Sequence, residues 1–157
     1  MFNVIISALV VIVVILSIVL IVSWRLFDKY YKQYNNELKR YKSLYQLECL
    51  WRKWENERRE FGFFLMRYSI STVAIYGMGR QGKLLYEALK KEGVEIRYAI
   101  DKKNIENKGG FLILSPESEL PEVDLVIVTV LYEYNLIAQK MRRKLDCPII
   151  SLEQILL

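Results

Sequence analysis

Hydrophobic and polar positions divide the chain into three stretches with different periods. From Val4 to Val22 no side chain is charged, and only Ser7 and Ser17 are polar. As a helix, that run rises about 28 Å, close to a hydrocarbon core of about 30 Å. The pattern predicts a single N-terminal transmembrane helix, with Trp24 at the interface and Arg25 beyond it. Phe27, Tyr31, Tyr34, Leu38, Tyr41 and Tyr45 then recur at alternating steps of four and three, the spacing of an a/d stripe. No glycine or proline intervenes before Gly62, so a long juxtamembrane helix running to about residue 60 is expected. The stripe breaks at Glu48 and resumes at Trp51 and Trp54. From Val73 onward, short apolar runs alternate with amphipathic ones, which predicts alternating strands and helices and a parallel sheet.

That third stretch resolves into elements. Val73–Tyr76 reads as a buried strand leading into Gly77-Met78-Gly79-Arg80-Gln81-Gly82. The next helix carries Leu84, Leu85, Ala88 and Leu89 on one face and ends at Gly93. Val94–Ile100 is a second strand, closed by Asp101, and Phe111–Leu114 a third. Ser115-Pro116 has the signature of a short helix, with Ser at the N-cap and Pro first in the helix. Asp124–Val130 is apolar enough to be buried on both faces. Glu133–Leu145 is a helix with Ile137, Met141 and Leu145 inward, Pro148–Ile150 a fifth strand, and Ser151-x-x-Gln154 a capping box. Right-handed crossovers give the strand order 3-2-1-4-5.

The glycine pattern has the context its chemistry requires. A strand precedes it, a helix follows, and Asp101 stands 19 residues after Gly82. The first glycine permits a tight turn, the second lets a pyrophosphate approach the backbone, and the third lets the helix pack on the strand. The fold expected is a small five-stranded parallel Rossmann-like sheet. Ligands of such sheets bind at the carboxyl ends of the strands, which here brings in Gly77, Met78, Gly79, Arg80, Gln81, Gly82, Asp101, Lys102, Ser115, Thr129 and Tyr132. Asp101 would accept from ribose hydroxyls, while Lys102 and Lys103 leave a plain ribose and a 2′-phosphate both open. The cofactor expected is NAD(P) or a nucleotide sugar.

Charge changes the picture by its location. Of the net +5, most lies in residues 25–60, with ten Lys/Arg against six Asp/Glu. Basic residues on only that side of the apolar run place the N-terminus outside and the bulk in the cytoplasm of a cell membrane. A cleaved signal peptide fits poorly, since Met1-Phe2-Asn3 has no basic side chain. The lipid bilayer is thus one expected partner, and a nucleotide-type small molecule another. Nucleic acid is not, because the basic excess is not on the folded domain. The stripe over residues 25–60 offers a homo-oligomeric coiled coil, or a single amphipathic helix lying against the domain or the headgroups.

With no histidine in the chain, the commonest general base and metal ligand are excluded. Cys49 and Cys147 form no metal-type pair. Tyr132 and Tyr134 have Leu136 and Ala138 four residues on, so neither of them starts a Tyr-x-x-x-Lys pair. Tyr132, Glu133 and Lys140 are candidates for chemistry, but each has a stronger structural reading, and no catalytic residue is assigned. The expected organisation is an anchor at 1–24, a helical connector at 25–68 and the sheet domain at 69–157.

The segments IYGMGRQGKLLYEAL, YAIDKK and CPIISLEQIL resemble bacterial Rossmann-like domains associated with capsule and cell-surface polysaccharide synthesis. More distantly, the glycine turn and strand-end acid are similar to the nucleotide-sugar-binding N-terminal domain of sugar acyltransferases. The resemblance covers about residues 45–157 and implies a bound nucleotide lined by Gly77, Gly79, Gly82 and Asp101. It points to a membrane-anchored module accessory to envelope polysaccharide synthesis. The alternatives are an NAD(P)-dependent oxidoreductase or sugar epimerase, and a self-associating scaffold with an empty groove.

Overall fold

A computed structural model describes residues 2–102 and 111–157, with the side chains of the first helix described at residues 6, 9 and from 12 onward. These residues fall into two compact units, Met1–Tyr41 and Lys42–Leu157.

The first unit is helical, formed by the start of α1 (Phe2–Asn56). Its internal contacts are local. Ser17 donates to the Val13 carbonyl at 2.8 Å, Lys32 pairs with Asp28 at 2.7 Å, and Phe27 stacks on Tyr31 at 6.1 Å. Side chains from Ile12 to Val22 are exposed, as are Phe27, Tyr31, Tyr34 and Tyr41. Among the described residues no helix is long and apolar enough to cross a membrane, which overturns the expected transmembrane span. α1 carries Arg25, Asp28 and Lys29 without a break.

The second unit is built on a five-stranded parallel sheet in the order β3-β2-β1-β4-β5, as the crossover rule predicts. The strands are β1 (Thr72–Tyr76), β2 (Glu95–Ile100), β3 (Ile113–Leu114), β4 (Leu125–Val128) and β5 (Ile149–Ser151). The helices are α2 (Phe61–Arg67), α3 (Arg80–Lys91), α4 (Tyr134–Met141) and α5 (Leu152–Leu156). Strand side chains alternate between the two faces. Val73, Ile75, Leu125 and Ile127 join a core with Leu47, Trp51, Trp54, Phe61, Leu65, Leu85, Leu89 and Leu152. Ala74, Tyr76, Val126 and Val128 join the opposite core with Ile137 and Met141.

Local chemistry explains most of the boundaries. α1 ends at Asn56 and the chain reverses through Arg58, at φ 53°. Glu92 accepts from the N–H groups of Phe61 and Gly62 and so caps α2. α3 closes on Gly93, at φ 74°, with the Val94 N–H returning to the Leu89 carbonyl at 3.0 Å. Ser151 and Gln154 make the capping box of α5.

Three expectations need correction. The segment after Ser115 is a turn, not a helix. Ser115 accepts from the Glu117 N–H at 3.3 Å, but Lys144 takes the Pro116 and Ser118 carbonyls at 2.7 and 3.2 Å, leaving no helical ladder to extend. Leu84 is exposed on α3. A short 3-10 turn, Leu131–Glu133, precedes α4, which ends at Met141, well before Leu145.

Candidate functional site

The glycine turn lies at the carboxyl end of β1, between β2 and β4, and its three glycines meet three different constraints. Gly77 adopts φ 95°, where a side chain is strained. A Cβ there would lie 2.6 Å from Val130 Cγ2 and 2.8 Å from Thr129 Oγ1. At Gly82 a Cβ would fall 1.9 Å from the Gly77 carbonyl oxygen, so α3 rests directly on the turn. Gly79 is exposed, and among the described residues no atom comes within 4 Å of a Cβ placed on it.

Neighbouring strands hold the turn rigid. The Gly77 N–H donates to the Ile100 carbonyl at 2.8 Å. Thr129 is buried, and its hydroxyl lies 2.8 Å from the Gly77 carbonyl and 3.1 Å from that of Tyr76. Thr129 is therefore a strut beneath the turn, not part of its lining. Asp101, at the end of β2, accepts from the Met78 N–H at 2.7 Å. The strand-end acid thus grips the turn itself, and Met78 is buried.

α3 starts here with Gly79 at its N-cap and no side-chain hydrogen bond to its first turn. Its leading N–H groups and dipole favour an anion in the space above Gly79. The first two side chains of α3 turn to a residue absent from the expected site. Arg80 donates to Glu48 at 3.2 Å, and the Gln81 amide nitrogen reaches the same carboxylate at 3.3 Å. Gln81 is buried, and its Oε1 has no partner among the described residues. Glu48 comes from α1, more than thirty residues upstream in the chain. Its one signal in the sequence is that it interrupts the apolar stripe.

The remaining expected residues form a charged rim. Lys102 pairs with Glu133 at 3.0 Å, and that hydrogen bond is the main reason its ammonium is held above the usual lysine range. Burial pushes the Tyr76 phenol up, while Lys102 pulls it back and Glu133, Asp101 and Glu117 add to the rise. Tyr132 is exposed on the 3-10 turn after β4. Lys103 lies outside the described residues. Lys140 is exposed on α4, and Cys147 packs against the core, where burial raises its thiol.

The structure therefore brings Gly77, Met78, Gly79, Gly82 and Asp101 into direct contact or succession. Arg80 and Gln81 point to Glu48, and Lys102 points to Glu133. The arrangement can receive a phosphate group on backbone N–H donors beside a carboxylate. Comparison with protein-family models, with curated proteins and with solved structures returns no match.

Proposed function

We propose that the Lys42–Leu157 unit is a Rossmann-like module that binds a nucleotide-type ligand, NAD(P) or a nucleotide sugar, at the glycine turn. In keeping with the resemblance of its motifs, its role would be accessory to cell-envelope polysaccharide synthesis. The observation that carries the reading is the contrast at the turn. Gly77 and Gly82 are required by packing, whereas Gly79 meets no neighbour among the described residues and stands at a helix N-terminus without a side-chain cap. Packing alone gives no reason for a glycine there, and close approach of a phosphate does.

Gly79→Ala separates the two roles. Gly79 has φ −67°, which alanine adopts without strain, so the variant should melt at the temperature of the parent. Its methyl group would intrude where the phosphate sits. Charge-assisted hydrogen bonds lost there are worth about 1.5–3 kcal/mol, so calorimetric titration of the full chain with UDP-glucose, NAD and NADP should show affinity reduced about 10- to 100-fold. If none of these binds the parent chain, or if Gly79→Ala binds as well as the parent, the reading fails.

A second reading has its own support. The exposed stripe of Phe27, Tyr31, Tyr34 and Tyr41 keeps coiled-coil spacing, which favours self-association along α1. Sedimentation of the full chain should show a dimer that Tyr34→Glu and Tyr41→Glu together convert to a monomer. A parent chain that sediments as a monomer at all concentrations removes this reading.

A further inference from the structure

A second cleft, of about 460 Å³, lies where the chain turns from α1 into α2. All its lining residues fall between Trp54 and Arg67, and none belongs to the glycine turn. The positive φ of Arg58 reverses the chain, so that Arg58 and Arg59 on one side meet Arg67 from the last turn of α2. Trp54, Phe63 and Phe64 supply apolar walls.

The walls are pre-organised. Trp54 stacks on Phe61 at 4.9 Å, and the Arg59 guanidinium sits 4.2 Å from the Trp54 ring centroid. Arg59 Nη1 also donates to the Leu156 carbonyl at 3.4 Å, and Phe64 packs on Tyr68 at 5.0 Å. Charge is not balanced to the same degree. Arg59 has an exposed pairing with Glu57 at 3.7 Å, which is worth little in water. Arg58 and Arg67 have no ion pair among the described residues, and Glu60 is the one carboxylate in the lining. Three guanidinium groups around an apolar floor attract an anion, and their planar forks suit phosphate oxygens. The volume is that of a small-ligand site.

We infer that this cleft binds a phosphate ester carrying an apolar or aromatic group, with the phosphate on Arg58 and Arg67 and the organic part against Phe63 and Phe64. Such an ester could be a soluble metabolite or a phospholipid headgroup, and Phe63 in the lining and Tyr68 against Phe64 are exposed.

The test uses the full chain and two probes, phenyl phosphate and a water-soluble short-chain phosphatidylglycerol, followed by calorimetry. At least one should bind saturably. Binding of phenyl phosphate alone identifies a soluble ester, and binding of the lipid alone identifies a headgroup. Arg58→Asn keeps a residue that tolerates positive φ, and Arg67→Gln keeps an exposed polar side chain. Each should weaken binding about 10-fold, while Gly79→Ala leaves it unchanged. The inference is overturned if neither probe binds, if the double variant binds as the parent does, or if Gly79→Ala abolishes the binding and so assigns it to the glycine turn.

Discussion

A methyl group at Gly82 has nowhere to go. Its carbon would stand 1.9 Å from a backbone oxygen of the turn, and a backbone atom cannot swing aside as a flexible side chain can. Gly82→Ala must therefore lift α3 off β1, at a cost near the top of the range for inserted methyl groups, about 3 kcal/mol. A thermal melt should fall by about 10 °C, whereas Gly79→Ala leaves it in place. Equal melting of the two variants would mean that the close packing at Gly82 does not exist in solution. The spacing of the three glycines is legible in the sequence, because turn, approach and packing each demand a missing side chain. The struts are not. Thr129 reads as part of the groove rim until its hydroxyl is found under Tyr76 and Gly77, and Glu48 reads as a break in a stripe until it meets Arg80 and Gln81. Both act through contacts distant in sequence, and local pattern carries no information about those.

Among the elements, the strands and their order follow from apolar runs and crossover handedness, and these are properties of the local sequence. The segment from Ser115 to Val123 does not follow. Its Ser-Pro start has helix chemistry, but its carbonyl groups are claimed by tertiary partners, Lys144 at Pro116 and Ser118 and Tyr98 at Pro121. Tyr98 donates to the Pro121 carbonyl at 2.6 Å from a fully buried position on β2. Tyr98→Phe leaves that carbonyl unsatisfied and should cost about 1–3 kcal/mol. Burial, with Cys147 adding and Arg97 opposing, pushes the Tyr98 phenol up to about 12. The folded state therefore holds this proton more tightly than the unfolded state does. The stabilisation is complete below pH 10 and is lost as pH rises from there towards 12, because the unfolded phenol ionises first. Denaturant melts between pH 9 and about 11.5 should show the parent losing stability faster than Tyr98→Phe. Parallel alkaline profiles would rule out the buried donor.

For the whole molecule, the question is how much chain the sheet needs. Composition and the glycine motif suggest a domain beginning near residue 69, because the residues before it read as connector. In the second unit, however, Leu47, Trp51, Trp54, Phe61 and Leu65 are at most 8% exposed and belong to the same core as Val73 and Ile75. The apolar run after Phe61 is a legible hint of this cover. The role of Leu47 is not, since one leucine in an amphipathic helix looks alike whether it meets a sheet or another helix. Burying each of these side chains is worth about 1.5–3 kcal/mol, so the five together approach the whole stability of a domain, about 5–15 kcal/mol. A chain starting at Lys42 retains all of them and should melt cooperatively, at the temperature of the transition that the α/β unit shows in the full chain. A chain starting at residue 69 exposes one face of the sheet and should show no cooperative melt. It should also bind a hydrophobic dye, because Val73, Ile75, Leu125 and Ile127 have lost much of their cover. If the shorter chain melts as sharply and as high as the longer one, the end of α1 and α2 are passengers on the sheet. Glu48 could then have no part in holding Arg80 and Gln81 at the mouth of the glycine turn.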